Sequence, residues 1–258
     1  MTAPGLRVIV EAGGGWHRLQ LDAPPGHILT LAMVRALTAA LEDAGRRPGV
    51  KWLTIEGSGG QFSYGASIPE HLPERMSEVL PATHGLMRMM LGFPSPTAAL
   101  VDGRCLGGGF ELALCCDDII ATSAASFGLP EIHLAAFPPV AAALLPIRVG
   151  AARASRAVIT GDTQPAGYWR DAGLVSIVAE SSTLLDSARG WFERHLAPRS
   201  AVALSHAAVA ARAPWRPAVE HAIAENERRY LDELLSSPDA EEGVRAWIEN
   251  RPGVWRDG

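Results

Sequence analysis

The stretch that decides the fold reads Cys105-Leu106-Gly107-Gly108-Gly109-Phe110-Glu111-Leu112-Ala113-Leu114-Cys115-Cys116-Asp117. Three consecutive glycines separate an apolar run from a segment with the composition of a helix. The first backbone amides of a helix have no partner within it and carry the positive end of its dipole. Glycine leaves those amides accessible because it has no Cβ. The stretch therefore predicts a helix start that can hold a developing anion.

Glu111 follows the glycines, in the first turn of this otherwise apolar helix. A carboxylate at that position has two interpretations. It can be an acid that the helix dipole favours. It can also be a general acid or base whose pKa is raised by a dry site. The stretch alone leaves both interpretations open.

Composition limits the class of protein. A chain of 258 residues can form one large α/β domain or two small ones. Its 48% hydrophobic and 20% charged residues are typical of a soluble globular protein, and its net charge of -5 argues against nucleic acid as a partner. The three cysteines have neither disulfide nor zinc spacing and are expected in the core, in a reducing compartment. The N-terminus lacks a signal pattern, and no run of about 18 apolar residues occurs, so we expect a cytoplasmic protein without membrane association.

The N-terminal half alternates strand and helix patterns. Residues 7–12 and 16–21 predict a hairpin joined by Gly13-Gly14-Gly15. Residues 30–44 have helical spacing, with Thr30 as a possible N-cap and Gly45 as a stop. Further strands are predicted at 51–57, 96–103 and 118–122, with a short extension at 125–128. Strand, helix, strand in this order predicts a parallel sheet with right-handed crossovers.

The remaining segments predict helices, with one exception. Residues 69–81 are polar and broken by proline, so a mobile flap or irregular helix is expected there rather than a core element. Helices are predicted at 82–92, 151–160, 166–172, 181–196, 200–212 and 215–236.

Four motifs follow one another along the chain: Phe62-Ser63-Tyr64-Gly65-Ala66-Ser67, then Asp102-Gly103-Arg104-Cys105-Leu106-Gly107-Gly108-Gly109-Phe110-Glu111-Leu112-Ala113, then Phe127-Gly128-Leu129-Pro130-Glu131, and finally residues 237–252. In order and spacing they resemble the enoyl-CoA hydratase/isomerase (crotonase) superfamily over essentially the whole chain. The resemblance implies an α/β fold, a spiral of repeated ββα units with a helical C-terminal extension. Residues 1–200 would form the core with the active site, and residues 201–258 a helical region for oligomerisation and active-site cover. It also implies a homotrimer or a dimer of trimers.

The resemblance implies the chemistry as well. The substrate would be an acyl-CoA thioester, with coenzyme A as part of the substrate and no other cofactor or metal. The backbone N–H groups of Ala66 and Gly108 would hold the thioester oxygen, each donor contributing about 3–4 kcal/mol as charge develops there. Glu111 would activate a water and Glu131 would deliver a proton to Cα. Further substrate-binding residues would be Ser63, Tyr64, Gly65, Gly107, Phe137 and Pro138.

Because both acids are present, the expected reaction is hydration of an enoyl-CoA. An enoyl-CoA isomerase or a ring-opening hydrolase on a CoA thioester would use one carboxylate and is the alternative. Without the resemblance, Glu131 could be a loop carboxylate that caps the next helix.

Two segments depart from the common family pattern. Ser67 stands where many hydratases have Asp, and residues 137–146 form an apolar run where the family often has a glycine-rich one. Both segments resemble the branch that hydrates cyclohexa-1,5-diene-1-carbonyl-CoA, and a bulky apolar lining suits a ring.

Other polar residues near the motifs are expected to be structural. His71, His84 and His133 have no helical metal spacing, so hydrogen-bonded or solvated histidines are expected. Ser63 and Ser67 lie outside any nucleophile elbow, which favours hydrogen bonding within the loop.

Overall fold

The computed structural model describes residues 5–257, so the expectations for Met1–Pro4 and Gly258 lie outside the described residues. The strands are β1 (Leu6–Glu11), β2 (Trp16–Leu21), β3 (Trp52–Gly57), β4 (Thr97–Val101), β5 (Arg104–Leu106), β6 (Asp118–Thr122), β7 (Ser126–Gly128), β8 (Gln164–Pro165) and β9 (Ile177–Ala179). The helices are α1 (Leu31–Arg46), α2 (Pro73–Leu91), α3 (Gly108–Leu114), α4 (Pro139–Val149), α5 (Ala151–Thr160), α6 (Ala166–Asp171), α7 (Leu184–His195), α8 (Ala201–Arg212), α9 (Arg216–Arg228) and α10 (Pro238–Ile248). The predicted α/β class with a helical C-terminal region is confirmed.

The strands form two sheets. The larger has the order β1-β2-β3-β4-β6-β9, and the smaller has the order β5-β7-β8. The β1–β2 hairpin is antiparallel, as predicted, whereas β2, β3, β4, β6 and β9 run parallel. Strands β5 and β7 are also parallel. Parallel strands place their carboxyl ends at one edge, and the loops that follow β3, β5 and β7 carry the motifs of the site.

Helix α1 forms largely as predicted. The Thr30 hydroxyl accepts a hydrogen bond from the Met33 amide at 3.2 Å and so caps the first turn. The expectation that Gly45 stops the helix is wrong, because α1 continues to Arg46. Ala44 is buried in the core, and this packing outweighs the low helix propensity of the glycine that follows it.

The expectation for residues 69–81 is also wrong. After a short 3-10 turn at Ile68–His71, α2 runs without interruption from Pro73 to Leu91 and contains Pro81. Met76 and Val79 are buried in an apolar cluster with Tyr230 of the C-terminal region. This packing offsets the hydrogen bond that a proline inside a helix removes.

The sequence pattern does not predict helix α4, because Pro138 precedes it, Pro139 begins it and Pro146 lies in its interior. Proline at the first position of a helix removes an N–H that would have no partner there. The apolar run at 137–146 is therefore helical from Pro139 onward. Its start lies beside Glu111.

The C-terminal region packs against the rest of the chain. Helix α9 packs on α2 and α4 and places Val219 and Ile223 in the main core. The long helix predicted at 215–236 is α-helical only as far as Arg228, and the chain then forms a π turn at Arg229–Glu233. The predicted division of the chain near residue 200, into a core with the active site and a helical region for oligomerisation and active-site cover, stays a prediction. Within residues 5–257, none of the helices is long and apolar enough to cross a membrane.

Candidate active site

Three loops are joined by backbone hydrogen bonds at the carboxyl edge of the strands. The Leu106 amide donates to the Ser63 carbonyl at 2.9 Å, and the Gly107 amide donates to the Gly128 carbonyl at 2.9 Å. The Leu29 amide donates to the Gly65 carbonyl at 2.9 Å. The loops after β3, β5 and β7 are therefore held in one place, and the predicted site motifs meet there.

The amides of Ala66 and Gly108 lie side by side. A Cβ added at Gly108 would lie 3.5 Å from the Ala66 nitrogen, so a side chain there would fill the space between the two amides. Gly65 has a φ of +99°, and a Cβ at this residue would lie 2.8 Å from the Leu106 carbonyl oxygen. Within residues 5–257, neither the Ala66 nor the Gly108 N–H donates to a protein acceptor. Two open donors in this arrangement can receive an oxyanion.

The Glu111 carboxyl is buried and hydrogen-bonded. Its Oε1 atom accepts from the Val140 amide at 2.8 Å and from the Ala141 amide at 2.9 Å. Those N–H groups belong to the first turn of α4, where they have no partner within the helix. Burial raises the pKa of Glu111 above its usual value, and the hydrogen bond from Ala141, the Coulombic effect of His84 and the hydrogen bond from Val140 offset this rise only in part. Glu111 thus joins α3 to α4 through hydrogen bonds that favour its charged form.

The Glu131 carboxyl has a different environment. It lies in a 3-10 turn, Pro130–Leu134, that follows β7. The residue is partly exposed, but its Oε2 atom is shielded from solvent and has no hydrogen-bond partner among the described residues. Burial, and next the negative charge of Glu111, raise the pKa of Glu131 to about 8. Glu131 therefore holds a proton at neutral pH.

The packing around Glu131 depends on Gly107. A Cβ at Gly107 would lie 2.9 Å from the Glu131 Oε1 atom, and Gly107 has a φ of +50°. The alternative that Glu131 caps the next helix is wrong, because Glu111 accepts the hydrogen bonds at the start of α4. Oε1 of Glu131 approaches the glycine loop instead.

Tyr230 lies near enough to both carboxyls for their charges to affect its hydroxyl, and it was not among the residues predicted from the sequence. The side chain is buried in the π turn after α9, and its ring centroid lies 5.5 Å from that of Phe137. Burial, and then the charges of Glu131 and Glu111, raise the pKa of its hydroxyl. π turns often occur at functional sites. The available sequence signal was one aromatic residue within the charged stretch 220–233.

The other predicted substrate-binding residues surround the same edge. The Ser63 hydroxyl donates to the His27 carbonyl at 2.9 Å and accepts from the Gly65 amide at 3.1 Å, so it shapes the loop. Tyr64 is 37% exposed, and the Arg104 guanidinium lies 5.4 Å from its ring centroid. Pro138 is buried and directly precedes α4. Contact of these residues with a substrate stays a prediction.

Of the three histidines expected to be structural, two make hydrogen bonds and His133 is exposed. The Nδ1 atom of His71 lies 2.8 Å from the Ser67 carbonyl oxygen, and that of His84 lies 2.6 Å from a Glu227 carboxyl oxygen. In the part of the chain that the structure describes, no three His, Cys, Asp or Glu residues are placed to hold a metal ion.

Open paired amides beside two carboxyls in different hydrogen-bonding environments define an enzyme that can stabilise an enolate and move protons next to it. The chain belongs to the enoyl-CoA hydratase/isomerase family, whose family model matches residues 12–258. The predicted family is thereby confirmed.

Individual relatives agree with this assignment. The chain is 36% identical over 252 residues to cyclohexa-1,5-dienecarbonyl-CoA hydratase of Thauera aromatica, with 98% of this chain and 97% of the relative covered. It is 33% identical over 236 residues to 2,3-dehydroadipyl-CoA hydratase of Escherichia coli strain K12, with 90% and 92% covered. A crystal structure of an enoyl-CoA hydratase from Mycobacterium avium subsp. paratuberculosis K-10 superimposes with a TM-score of 0.87 at 28% identity, covering 98% and 99% of the two chains. The predicted crotonase-like fold is confirmed, and so is the resemblance to the cyclic-dienoyl branch.

Proposed function

We propose that this chain hydrates an α,β-unsaturated acyl-CoA. The observation that carries the proposal is the pair Glu111 and Glu131 beside the open amides of Ala66 and Gly108. Glu111 accepts two amide hydrogen bonds, whereas Glu131 has a shielded oxygen without a hydrogen-bond partner among the described residues. Addition of water to a conjugated double bond needs a base for the attacking water and an acid for the neighbouring carbon. Two carboxyls in different protonation states supply both.

The proposed reaction follows from that geometry. The thioester carbonyl oxygen accepts from the Ala66 and Gly108 amides, and water attacks Cβ while Glu111 takes a proton from it. The electron pair of the double bond moves onto the thioester as an enolate, which the two amides stabilise. Glu131 then gives its proton to Cα. The proton gained by Glu111 returns to Glu131 through the next water, which restores the pair.

We propose a cyclic dienoyl-CoA as the preferred substrate. The support is the name of the Thauera aromatica relative and the apolar character of residues beside the carboxyls. Phe137 and Tyr230 pack on each other there, in a cluster with the buried Leu31 and Met76. Flat apolar surface of this kind favours a ring over an extended chain.

Three further proposals rest on the family. We propose a homotrimer or a dimer of trimers, which sedimentation measurements test. The apolar side chains of Trp247 and Trp255 are 52% and 43% exposed, and this exposed apolar surface supports an interface with another subunit. We propose a cytoplasmic location, supported by three buried cysteines without disulfides. We propose that the reaction uses no cofactor beyond the coenzyme A of the substrate.

The experiment offers crotonyl-CoA and cyclohexa-1,5-diene-1-carbonyl-CoA side by side, with the corresponding free acids as controls. Loss of the conjugated thioester absorbance together with a product heavier by one water supports hydration. Faster turnover of the cyclic substrate supports the proposed preference. A product of unchanged mass identifies an isomerase and contradicts the proposal, as does equal turnover of the free acids.

A further inference from the structure

The peptide group that carries the Ala66 N–H is held from behind by Leu29. The Leu29 amide donates to the Gly65 carbonyl at 2.9 Å, and the Leu29 carbonyl accepts from the Ser67 amide at 3.3 Å. The Gly65 carbonyl and the Ala66 N–H belong to one planar peptide group, so a fixed oxygen fixes the direction of the N–H. The Leu29 Cδ1 atom also lies 3.9 Å from the position of a Cβ added at Gly108. Leu29 therefore borders both proposed oxyanion donors.

His27 anchors the chain on the N-terminal side of Leu29. It is 2% exposed and has a φ of +45°, a conformation that residues with a side chain adopt at a cost. Its Nδ1 atom accepts from the Ala23 amide at 3.1 Å, and its Nε2 atom lies 2.8 Å from the Ser58 carbonyl oxygen. Because a backbone amide donates and a carbonyl accepts, this arrangement places the ring hydrogen on Nε2. Both ring nitrogens are bonded, and the ring ties this turn to the end of β3.

A second chain of hydrogen bonds leads from His27 to the same peptide group. The His27 carbonyl accepts from the Ser63 hydroxyl at 2.9 Å, and that hydroxyl accepts from the Gly65 amide at 3.1 Å. Ser63 is fully buried, so its hydroxyl cannot exchange a lost partner for water. A shift of the His27 backbone would therefore reach Gly65 both through Ser63 and through Leu29.

Glu70 anchors the chain on the C-terminal side of Leu29. It lies in the 3-10 turn Ile68–His71, and its amide donates to the Ser67 carbonyl at 3.0 Å. Its Oε2 atom accepts from the Leu31 amide, the first of α1, at 2.9 Å. That amide has no partner within the helix, and the helix dipole favours a carboxylate there. Glu70 thus joins the end of the Ala66 loop to the start of α1.

We propose that His27 and Glu70 are positioning residues for the oxyanion hole: they hold Leu29 from both sides, so that its amide directs the Ala66 N–H toward the thioester oxygen. This role rests on the proposed function, in which Ala66 is an oxyanion donor. Neither side chain needs to contact the substrate. An oxyanion hole acts through donors that are aligned before charge develops, so a misaligned donor lowers turnover more than it lowers binding of the substrate.

The first test removes the Glu70 anchor and then restores it. Glu70→Ala removes the acceptor for the Leu31 amide, whereas Glu70→Gln keeps an acceptor oxygen at nearly the same place. Glu74→Ala is the control, because Glu74 is an exposed acid in the first turn of α2. With crotonyl-CoA, Glu70→Ala should lower kcat by about tenfold and change KM by less than about twofold. Glu70→Gln should recover most of kcat, and Glu74→Ala should match the wild type.

The second test removes the His27 anchor. His27→Ala removes both ring contacts, whereas His27→Asn keeps an acceptor for the Ala23 amide and a residue type that adopts positive φ. His17→Ala is the matched control, because His17 is also 2% exposed and its charged neighbours, Arg47 and Asp43, lie at the opposite end of α1. His27→Ala should lower kcat by about tenfold or more, and His27→Asn by less. Circular dichroism confirms folding, and Glu70→Ala decides the matter if His27→Ala does not fold.

A measurement without turnover separates this role from the proposed reaction. Butyryl-CoA with an isotope label at its thioester carbon has no double bond to hydrate, and its carbonyl stretch falls in frequency when the oxygen accepts hydrogen bonds. In infrared difference spectra, the band of the thioester bound to the wild type should lie below that of the free thioester. In Glu70→Ala and His27→Ala it should move back toward the free position, and in the two control variants it should not.

The outcomes distinguish the two proposals. An inactive wild type with a lowered band, which moves back in the anchor variants, overturns hydration alone. An active wild type with the same lowered band in folded anchor variants overturns the positioning role alone, as does a kcat in those variants equal to that of the controls. A wild-type band at the position of the free thioester overturns the oxyanion role of Ala66 and the positioning role together.

Discussion

The two carboxyls of the site belong to regions that hold them in opposite ways. Glu111 lies on a helix and accepts two amide hydrogen bonds from the start of α4. Glu131 lies in a 3-10 turn and has an Oε2 atom that is buried without a partner among the described residues. Hydrogen bonds to a carboxylate favour its charged form, whereas burial without them favours the neutral form.

This difference sets the proposed roles. Two carboxyls that interact titrate as a pair, and the proton resides on the member whose charged form is less stabilised. That member is Glu131. In the proposed reaction, Glu111 is then the base toward water, and Glu131 is the acid toward Cα. The assignment follows from the neighbours of each carboxyl, since the two side chains are chemically identical.

Replacing either carboxyl by its amide should have the largest effect. Glu111→Gln and Glu131→Gln should each lower kcat for hydration by about 100-fold or more, because each removes one proton transfer. Folding and thioester binding should change little, since the amide is nearly isosteric. Steady-state kinetics together with calorimetric binding of a CoA thioester check this.

The double variant sharpens the comparison. Because the two acids act as a unit, the loss of kcat in the double variant should be far smaller than the product of the two single losses. Full turnover in Glu111→Gln with loss in Glu131→Gln would replace hydration by a proton shuttle with one base.

Gly107→Ala should disturb Glu131 and spare Glu111. The added Cβ would lie 2.9 Å from the Glu131 Oε1 atom, at a backbone φ of +50°. Displacement of a catalytic group by about 1 Å can cost about 100-fold, so we expect a loss of about 10- to 100-fold in kcat. Gly85→Ala in α2 is the control, because nothing lies within 4 Å of the added Cβ. Equal activity of the two variants would contradict the proposed position of Glu131.

Tyr230→Phe tests the hydroxyl that the charges of both carboxyls affect. The phenyl ring keeps the contact with Phe137, so the variant removes a hydrogen-bond donor and little packing. We expect the hydroxyl to donate a hydrogen bond during the reaction, and loss of one such bond should lower kcat by about tenfold. Tyr168→Phe is the control, since Tyr168 packs beside Trp169 and Arg153. A kcat for Tyr230→Phe equal to that of the control would show that the hydroxyl takes no part.

The thermal stability of the glutamate variants should show the smallest effect. The folded pKa of Glu131 is about 8 against an ordinary 4.5, so the folded state binds this proton more tightly than the unfolded state does. The stability from this proton is complete below pH 4.5 and is lost as pH rises through about 8. At pH 8.5 we therefore expect Glu131→Gln to melt about 3 °C or more above the wild type. Glu111→Gln should gain less, because burial also raises the pKa of Glu111 but the hydrogen bonds from α4 to its carboxylate offset part of that rise. Calorimetric melting of the wild type and both variants across this pH range tests the two expectations.

The motifs at 62–67, 102–113 and 127–131 predicted most of the fold and the place of the site. Local sequence patterns sufficed to place the site where a strand is followed directly by the turn that carries a motif, as at Gly107 and Glu131. They failed where distant packing decides the structure. Pro81 lies within α2 because buried neighbours contact the C-terminal region, and those contacts have no signature in residues 69–81.

Contacts between distant segments also explain what was missed in the site. Glu111 meets Val140 and Ala141, and His84 meets Glu227, through pairing of segments far apart in the chain. Sequence spacing identifies acids but does not indicate which of them accepts a hydrogen bond. The unequal hydrogen bonding of Glu111 and Glu131 could therefore be derived only from the structure.

Isotope-edited infrared spectroscopy of the substrate-free enzyme tests the central claim most directly, because a protonated carboxyl has a carbonyl stretch distinct from that of a carboxylate. We predict one such band at neutral pH that disappears as pH rises through about 8, is absent from Glu131→Gln and persists in Glu111→Gln. A band that disappears in Glu111→Gln and persists in Glu131→Gln, or no band at neutral pH, would contradict the assignment of Glu131 as the acid and Glu111 as the base.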